Sequence, residues 1–199
     1  ITIPAKVLSE IIREIPKPEF SLGVEKSNQV VIRSGKFTSR IVGLPKDEFP
    51  VMPEFSTKNS FEMESSLLAE MIQKTIFSIS TDETRYTLCG IYLICRKGEM
   101  KMVSTDGRRL SYISRPVKIS KEKGHEAQVI LPAKAVHELT RILSRESGTI
   151  RVNIQENQIS FEIGDTVLIS RLIEGNFPNY DQVIPKKSSI HFTVSTEKL

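Results

Sequence analysis

Three sets of residues in this chain have the types and spacing to do chemistry. The first is a pair of cations that occurs twice. Lys6 and Arg13 stand seven positions apart, and so do Lys134 and Arg141. On a helix, two turns return such residues to one stripe, facing away from the apolar side. One such pair is ordinarily just a solvated surface. Here both lysines fall in first helical turns, where the macrodipole disfavours a cation. A cation kept twice in that position points to a partner outside the helix, and phosphate is the natural one: Lys and Arg give sequence-independent affinity by releasing counterions. Glu10 and Glu138, on nearby turns, moderate the field. The second set is Ser104-Thr105-Asp106-Gly107-Arg108-Arg109-Leu110. By itself Asp-Gly marks a corner between two strands, with glycine at positive φ and the aspartate closing an Asx turn. The third set is the carboxylates of Asp82, Glu83 and Asp106, which could hold a metal for phosphoryl transfer. However, Asp82 and Glu83 lie among turn formers, and no further carboxylate is spaced to complete a site. No P-loop, zinc set or Ser/His/Asp arrangement is present. The residues favour binding over catalysis, with no cofactor and no metal.

The elements that must position these residues repeat along the chain. Ile3-Pro4-Ala5-Lys6 through Glu10 to Arg13 returns as Leu131-Pro132-Ala133-Lys134 through Glu138 to Arg141, with Pro4 and Pro132 standing 128 apart. Phe49-Pro50 and Phe177-Pro178 keep the same offset. A period this long marks a duplicated domain rather than a solenoid, and the chain holds only about one and a half periods. In the first copy, a short strand at 1–3 leads to a helix at 5–15 whose inward face is Leu8, Ile11, Ile12 and Ile15, ended by Pro16 and Pro18. Strands follow at 20–25, 29–33 and 37–42. A strand at 60–64 and a helix at 65–80, with Leu67, Leu68, Met71, Ile72 and Ile76 inward, lead to strands at 91–96, 100–104 and 109–115. A loop at 121–124 precedes the second copy: strand 127–131, helix 133–143, and strands 149–154, 158–163 and 167–173. The segment 189–194 resembles 60–63 and reads as another strand. Each period thus contains two strand–helix–strands subunits of about 65 residues. The fold class is α+β, with helices on one face of antiparallel sheets.

Composition narrows the classes further. The chain has 199 residues and a net charge of +4, compatible with a polyanionic partner. Its two cysteines, Cys89 and Cys95, are too few for a disulfide scaffold, and His125, His137 and His191 are too scattered to complete a zinc site. They read as free buried thiols in a reducing cytoplasm. No apolar run approaches the roughly 18 residues of a spanning helix, and no signal peptide is visible. The chain opens at Ile1 directly on a strand pattern and ends at Leu199 as a helical pattern begins, so both ends read as cut.

Thr84-Arg85-Tyr86-Thr87-Leu88-Cys89-Gly90 precedes the Asp-Gly segment. Gly175-Asn176-Phe177-Pro178-Asn179-Tyr180 follows it, with Gln182-Val183-Ile184-Pro185 beyond. This ordered set resembles the bacterial sliding clamp family, the DNA polymerase III beta subunit. That family carries R-Y-x-L-x-G, T-D-G-x-R-L and G-x-F-P-x-Y segments at similar spacing. The resemblance covers the whole chain: 1–53 as the second half of the N-terminal clamp domain, 54–187 as the central domain, and 188–199 as the start of the C-terminal one. It implies a DNA clamp fold with antiparallel sheets outside and helices on the inner face of a ring, and a full-length homodimer that encircles duplex DNA. Lys6, Arg13, Lys134 and Arg141 would then face DNA, and Arg85 and Tyr86 would match a DNA-contacting loop. Leu88, Thr105, Gly107, Arg108, Arg109, Leu110, Pro178, Gln182 and Val183 would match the pocket into which DNA polymerase and clamp loader dock short peptides. Leu88, Leu110, Pro178 and Val183 would form its apolar cup, and the arginines would suit an acidic or carbonyl-rich peptide. The sequence departs from the family at Cys89 (often Asn), Arg108 (commonly His) and Thr87 (frequently aromatic). An alternative is a peptide-binding fragment that does not itself encircle DNA, because ring closure needs more domain than this chain holds.

Overall fold

The computed structural model describes residues 1–49, 60–117, 126–185 and 189–198. The loop expected at 121–124 and the domain boundaries expected at 53/54 and 187/188 lie outside those residues. The chain divides into two units, Ile1–Glu54 and Phe55–Leu199.

In the first unit, helix α1 (Ala5–Arg13) is followed by strands β1 (Ser21–Glu25), β2 (Gln29–Ser34) and β3 (Phe37–Val42), which form an antiparallel sheet in the order β1-β2-β3. Residues 1–3 contribute one bridge, in which Thr2 and Leu44 exchange backbone hydrogen bonds of 2.9 and 2.8 Å. Pro4 sits at the N-cap, where its missing N–H costs nothing. The helix stops at Arg13, before Ile15, because Pro16 disfavours α geometry in the residue preceding it. Its inward residues Leu8, Ile11 and Ile15 meet Val30, Ile32 and Ile41 of the sheet. Ile12, expected on that face, is 40% exposed: it lies one residue round from Ile11, off the stripe that touches the sheet.

The second unit is built from two interlocked halves. Strand β4 (Ser60–Glu64), helix α2 (Ser65–Gln73) and strands β5 (Gly90–Arg96), β6 (Glu99–Thr105) and β7 (Leu110–Pro116) form one half. Strand β8 (Ala127–Pro132), helix α3 (Ala133–Leu143) and strands β9 (Thr149–Ile154), β10 (Gln158–Ile163) and β11 (Thr166–Arg171) form the other. The first strand of each half joins the other half's meander. The two antiparallel sheets therefore run β7-β6-β5-β8 and β11-β10-β9-β4. A bridge between Ile130 and Ile173 links β8 to the chain just past β11, repeating the Thr2–Leu44 bridge of the first unit. Both helices cover one core. Leu68, Met71 and Ile72 of α2 and Ala135, Val136 and Leu139 of α3 are buried with Ile91, Leu93, Met102, Ile150, Val152 and Phe161 of the sheets.

Two expected elements of the second unit also differ. The helix expected at 65–80 ends at Gln73, and a 3-10 turn follows at Ile76–Ser78. The change falls at Thr75: its N–H bonds the Ile72 carbonyl in a 3-10 pattern, and its buried hydroxyl donates back to the carbonyls of Met71 and Ile72, a bond that bends a helix. Segment 189–194 is not a strand, and Ile190 and Phe192 in it are 78% and 85% exposed. Alternation alone does not make a strand; a neighbouring ladder does. Its sequence counterpart β4 has that ladder in β9, with Phe61 opposite Val152 and Met63 opposite Ile150.

Candidate functional site

Three segments far apart in sequence meet on the β5–β6–β7 sheet. The first is the 3-10 stretch Glu83–Leu88, whose chain kinks at Arg85. Asp82 organises it as an N-cap: one carboxylate oxygen accepts from the Thr84 N–H (3.1 Å) and the Thr84 hydroxyl (2.6 Å), the other from Arg85 Nε (3.1 Å). These bonds, led by the Thr84 hydroxyl and then the Thr84 N–H, hold the Asp82 carboxyl below its ordinary pKa. The stretch ends against α3, where the Ala133 N–H at the helix start donates to the Cys89 carbonyl at 3.0 Å. Arg85 and Tyr86 therefore sit on a loop tied to the helix that carries Lys134.

The second segment is the hairpin corner between β6 and β7, in which Thr105 pairs with Leu110. The Asp106 carboxylate accepts from the N–H groups of Arg108 (2.9 Å) and Arg109 (3.0 Å) and from Arg109 Nε (3.1 Å). The two backbone donors, with the Arg109 guanidinium a lesser contributor, lower its pKa. Thr105 closes the turn from the other side: its hydroxyl donates to the Arg109 carbonyl and accepts from the Gly107 N–H. Gly107 has φ of +87°, and a Cβ there would stand 2.8 Å from a guanidinium nitrogen of Arg85. Glycine here lets the Arg85 side chain lie across the corner.

The third segment is the strap at 174–183, which crosses the outer face of the same sheet. Phe177 stacks on Tyr92 of β5 with centroids 4.8 Å apart and rings 7° from parallel. Tyr180 lies edge-on to Tyr92 at 6.3 Å and reaches Tyr112 of β7 at 6.0 Å. A Cβ on Gly175 would meet Thr87 Cγ2 at 3.1 Å and the Tyr86 hydroxyl at 3.2 Å, so the strap starts against the first segment. The 3-10 turn Tyr180–Gln182 then presents Gln182 and Val183 outward, with Val183 66% exposed.

The arrangement thus unites residues the sequence had divided between two roles: Arg85 and Tyr86, expected on DNA, touch Gly107 and Gly175 of the peptide-pocket segments. Thr105, Arg108, Arg109 and Leu110 share one corner, and Pro178, Gln182 and Val183 share the strap. Leu88 departs from the expected open cup. It is only 6% exposed, and its carbonyl accepts from the Ser80 N–H, so it belongs to the core beneath the corner. Lys134 and Arg141 are exposed on α3, and Arg141 pairs with Glu138 one turn back at 2.5 Å. Lys6 and Arg13 are exposed on α1 in the first unit. Among the described residues neither Lys6 nor Lys134 has an ion pair. The carboxylates of Asp82 and Asp106 serve as turn caps.

Sequence reasoning missed Tyr92, Tyr112 and Phe77. The first two are aromatics at outward positions of β5 and β7, a placement that signals something lying over the sheet. Phe77, 55% exposed, has the Arg109 guanidinium 5.9 Å from its ring centroid. Cys89 and Cys95 are both free thiols. Burial pushes Cys95 up to about 12, and desolvation, then Asp82, raises Cys89.

The family model for the central domain of the DNA polymerase III beta subunit matches residues 62–179, and that for its N-terminal domain matches 1–53. The chain belongs to the DNA polymerase III beta subunit family. A beta sliding clamp of Halalkalibacterium halodurans is 32% identical over 197 residues, covering 99% of this chain and 52% of the relative. One of Chlamydia muridarum is 31% identical, covering 100% and 54%. The crystal structure of the Bacillus subtilis sliding clamp superposes with a TM-score of 0.80 at 30% identity, covering 94% of this chain and 48% of that one. The Bartonella birtlesii sliding clamp, solved bound to griselimycin, gives 0.76 at 35%, covering 92% and 50%. The antiparallel sheets and their helices are the clamp fold. The chain spans about half the length of the beta subunit relatives it matches.

Proposed function

We propose that this chain forms part of a sliding clamp that encircles duplex DNA and tethers the replicative polymerase and clamp loader through a peptide-binding site. In this reading 1–53 is the second half of an N-terminal clamp domain, 54–187 the central domain and 188–199 the start of a third; the full-length protein is a homodimer acting in the cytoplasm. Among the described residues no helix is long and apolar enough to cross a membrane. The role is non-catalytic: binding, with no bond made or broken.

The observation that carries the reading is the meeting of the Arg85 loop, the Gly107 corner and the Gly175 strap. It lays Arg85 on the corner that carries Arg108, Arg109 and Leu110, and starts the strap that carries Pro178 and Val183 beside Tyr86 and Thr87. An apolar anchor flanked by planar cations suits a peptide with Leu or Phe side chains and exposed carbonyls. Lys134 and Arg141 on α3, with Lys6 and Arg13 on α1, supply sequence-independent phosphate contacts. Because the peptide site lies wholly in the second unit, it also supports the alternative in which this piece binds peptide without encircling DNA.

Two experiments on the full-length protein separate these roles. Leu110→Asp is expected to abolish binding of the polymerase C-terminal peptide, and retained affinity would sink the pocket. Lys134→Glu with Arg141→Glu should cut polymerase processivity while leaving thermal stability unchanged and lower the salt slope of DNA binding by about two. Undiminished processivity would remove α3 from the DNA-facing wall.

A further inference from the structure

The 3-10 turn Ile76–Ser78 lies outside every motif segment, yet it holds the neighbours of Leu110 on both sides. The Ser78 hydroxyl hydrogen-bonds the Ser111 hydroxyl at 2.7 Å, in a position where Ser78 is 0% and Ser111 8% exposed. The Phe77 ring, pointing outward, has the Arg109 guanidinium over it. One strand away, the fully buried Ser104 hydroxyl donates to the Thr75 carbonyl, which fastens β6 to the same turn. A buried serine hydroxyl left without a partner is costly, so this network is a directional constraint where apolar packing would leave freedom. Leu110 follows Arg109 and precedes Ser111, so its place is fixed between two gripped residues.

We propose that Ser78 and Ser111, with Phe77, are positioning residues for the peptide site: the turn after α2 sets where the Leu110 wall stands relative to the strap. The inference rests on the peptide-site reading above. Ser78 and Ser111 do not touch the peptide; they act through Leu110 and Arg109.

A double-mutant cycle on the full-length protein tests it, with a fluorescent peptide of the polymerase C-terminus as probe and urea unfolding as control. Ser111→Ala strands the Ser78 hydroxyl in the core and should lower both stability and peptide affinity, the latter about fivefold. Ser78→Ala with Ser111→Ala removes both partners and should recover most of the stability. If the pair positions the wall, the double variant stays about fivefold weaker for peptide despite that recovery. Phe77→Ala should weaken binding about twofold by releasing Arg109. Recovery of wild-type affinity in the double variant would overturn the proposal, leaving the hydroxyls purely structural. Wild-type affinity in Phe77→Ala would remove Phe77 from it. If the wild-type protein binds no peptide at all, the pocket reading itself fails, a result distinct from both.

Discussion

Strands β1 and β9 occupy the same place in the repeat, with Leu22 and Val24 standing where Ile150 and Val152 stand in the second copy. In β9 these side chains are 0% and 1% exposed; in β1 they are 49% and 57% exposed. The helices differ in the same sense. Val136 and Leu139 of α3 are fully buried, whereas no residue of α1 is. The residue types are alike, so the difference lies in the company. β9 is covered at its edge by β4, and α3 lies beside α2 in a shared core. The first unit has no counterpart to β4 and α2 among its described residues. One strand–helix–meander copy is thus half of a core, and exchanging first strands between two copies completes it. Corner, loop and strap all lie in the second unit.

This contrast can be broken most directly by truncation of matched residues. Leu139→Ala, in the complete core, should cost about 2–5 kcal/mol, whereas Ile11→Ala, its counterpart on α1, should cost about 1 kcal/mol. Equal losses in urea unfolding would mean that the two copies are equally supported. Native-state amide exchange offers the next test: the amides of Ile150 and Val152 should exchange on the order of a hundredfold more slowly than those of Leu22 and Val24. Comparable protection would show β1 to be covered in solution.

A smaller effect separates the cationic stripes. Arg141 is held by Glu138, while among the described residues Arg13 has no ion pair. Glu138→Gln should therefore raise DNA affinity about twofold at low salt, more than Glu10→Gln does. A larger gain from Glu10→Gln would reverse the assignment. The smallest effect is the pH response of the second unit's corner. Asp106 has a folded pKa below its ordinary 3.8, so its contribution is fully present above that value and fades as pH falls through the lower folded one. Peptide binding should show no Asp106-dependent change between about pH 5 and 8. A difference between wild type and Asp106→Asn that varies within that window would contradict the cap role.

The repeat was legible because its signals are local. Prolines at the helix starts, apolar residues at helical spacing and two-residue turns such as Lys97-Gly98, where both residues have positive φ, all act over a few positions. Strands β2, β3, β6 and β9 therefore fall close to where alternation puts them. Periodicity alone failed in two places. The chain leaves α2 at Thr75, whose hydroxyl bonds back to Met71 and Ile72, and 189–194 alternates like β4 but is not a strand. The motif segments could be picked out by type, and the carboxylates of Asp82 and Asp106 act as the turn caps that their neighbours suggest. Nothing local indicated that Arg85 lies across Gly107, that Leu88 sinks into the core, or that Phe77 meets Arg109.

By itself, then, the sequence determined the duplicated elements, the cationic stripes and the glycine-centred turns, because each depends on dihedral preference and periodicity within one segment. Tertiary structure alone decided which halves of the second unit share a core and which residues share a site. Those outcomes depend on strands exchanged between halves and on aromatic rings stacked across the sheet, contacts between residues tens of positions apart that no local preference encodes.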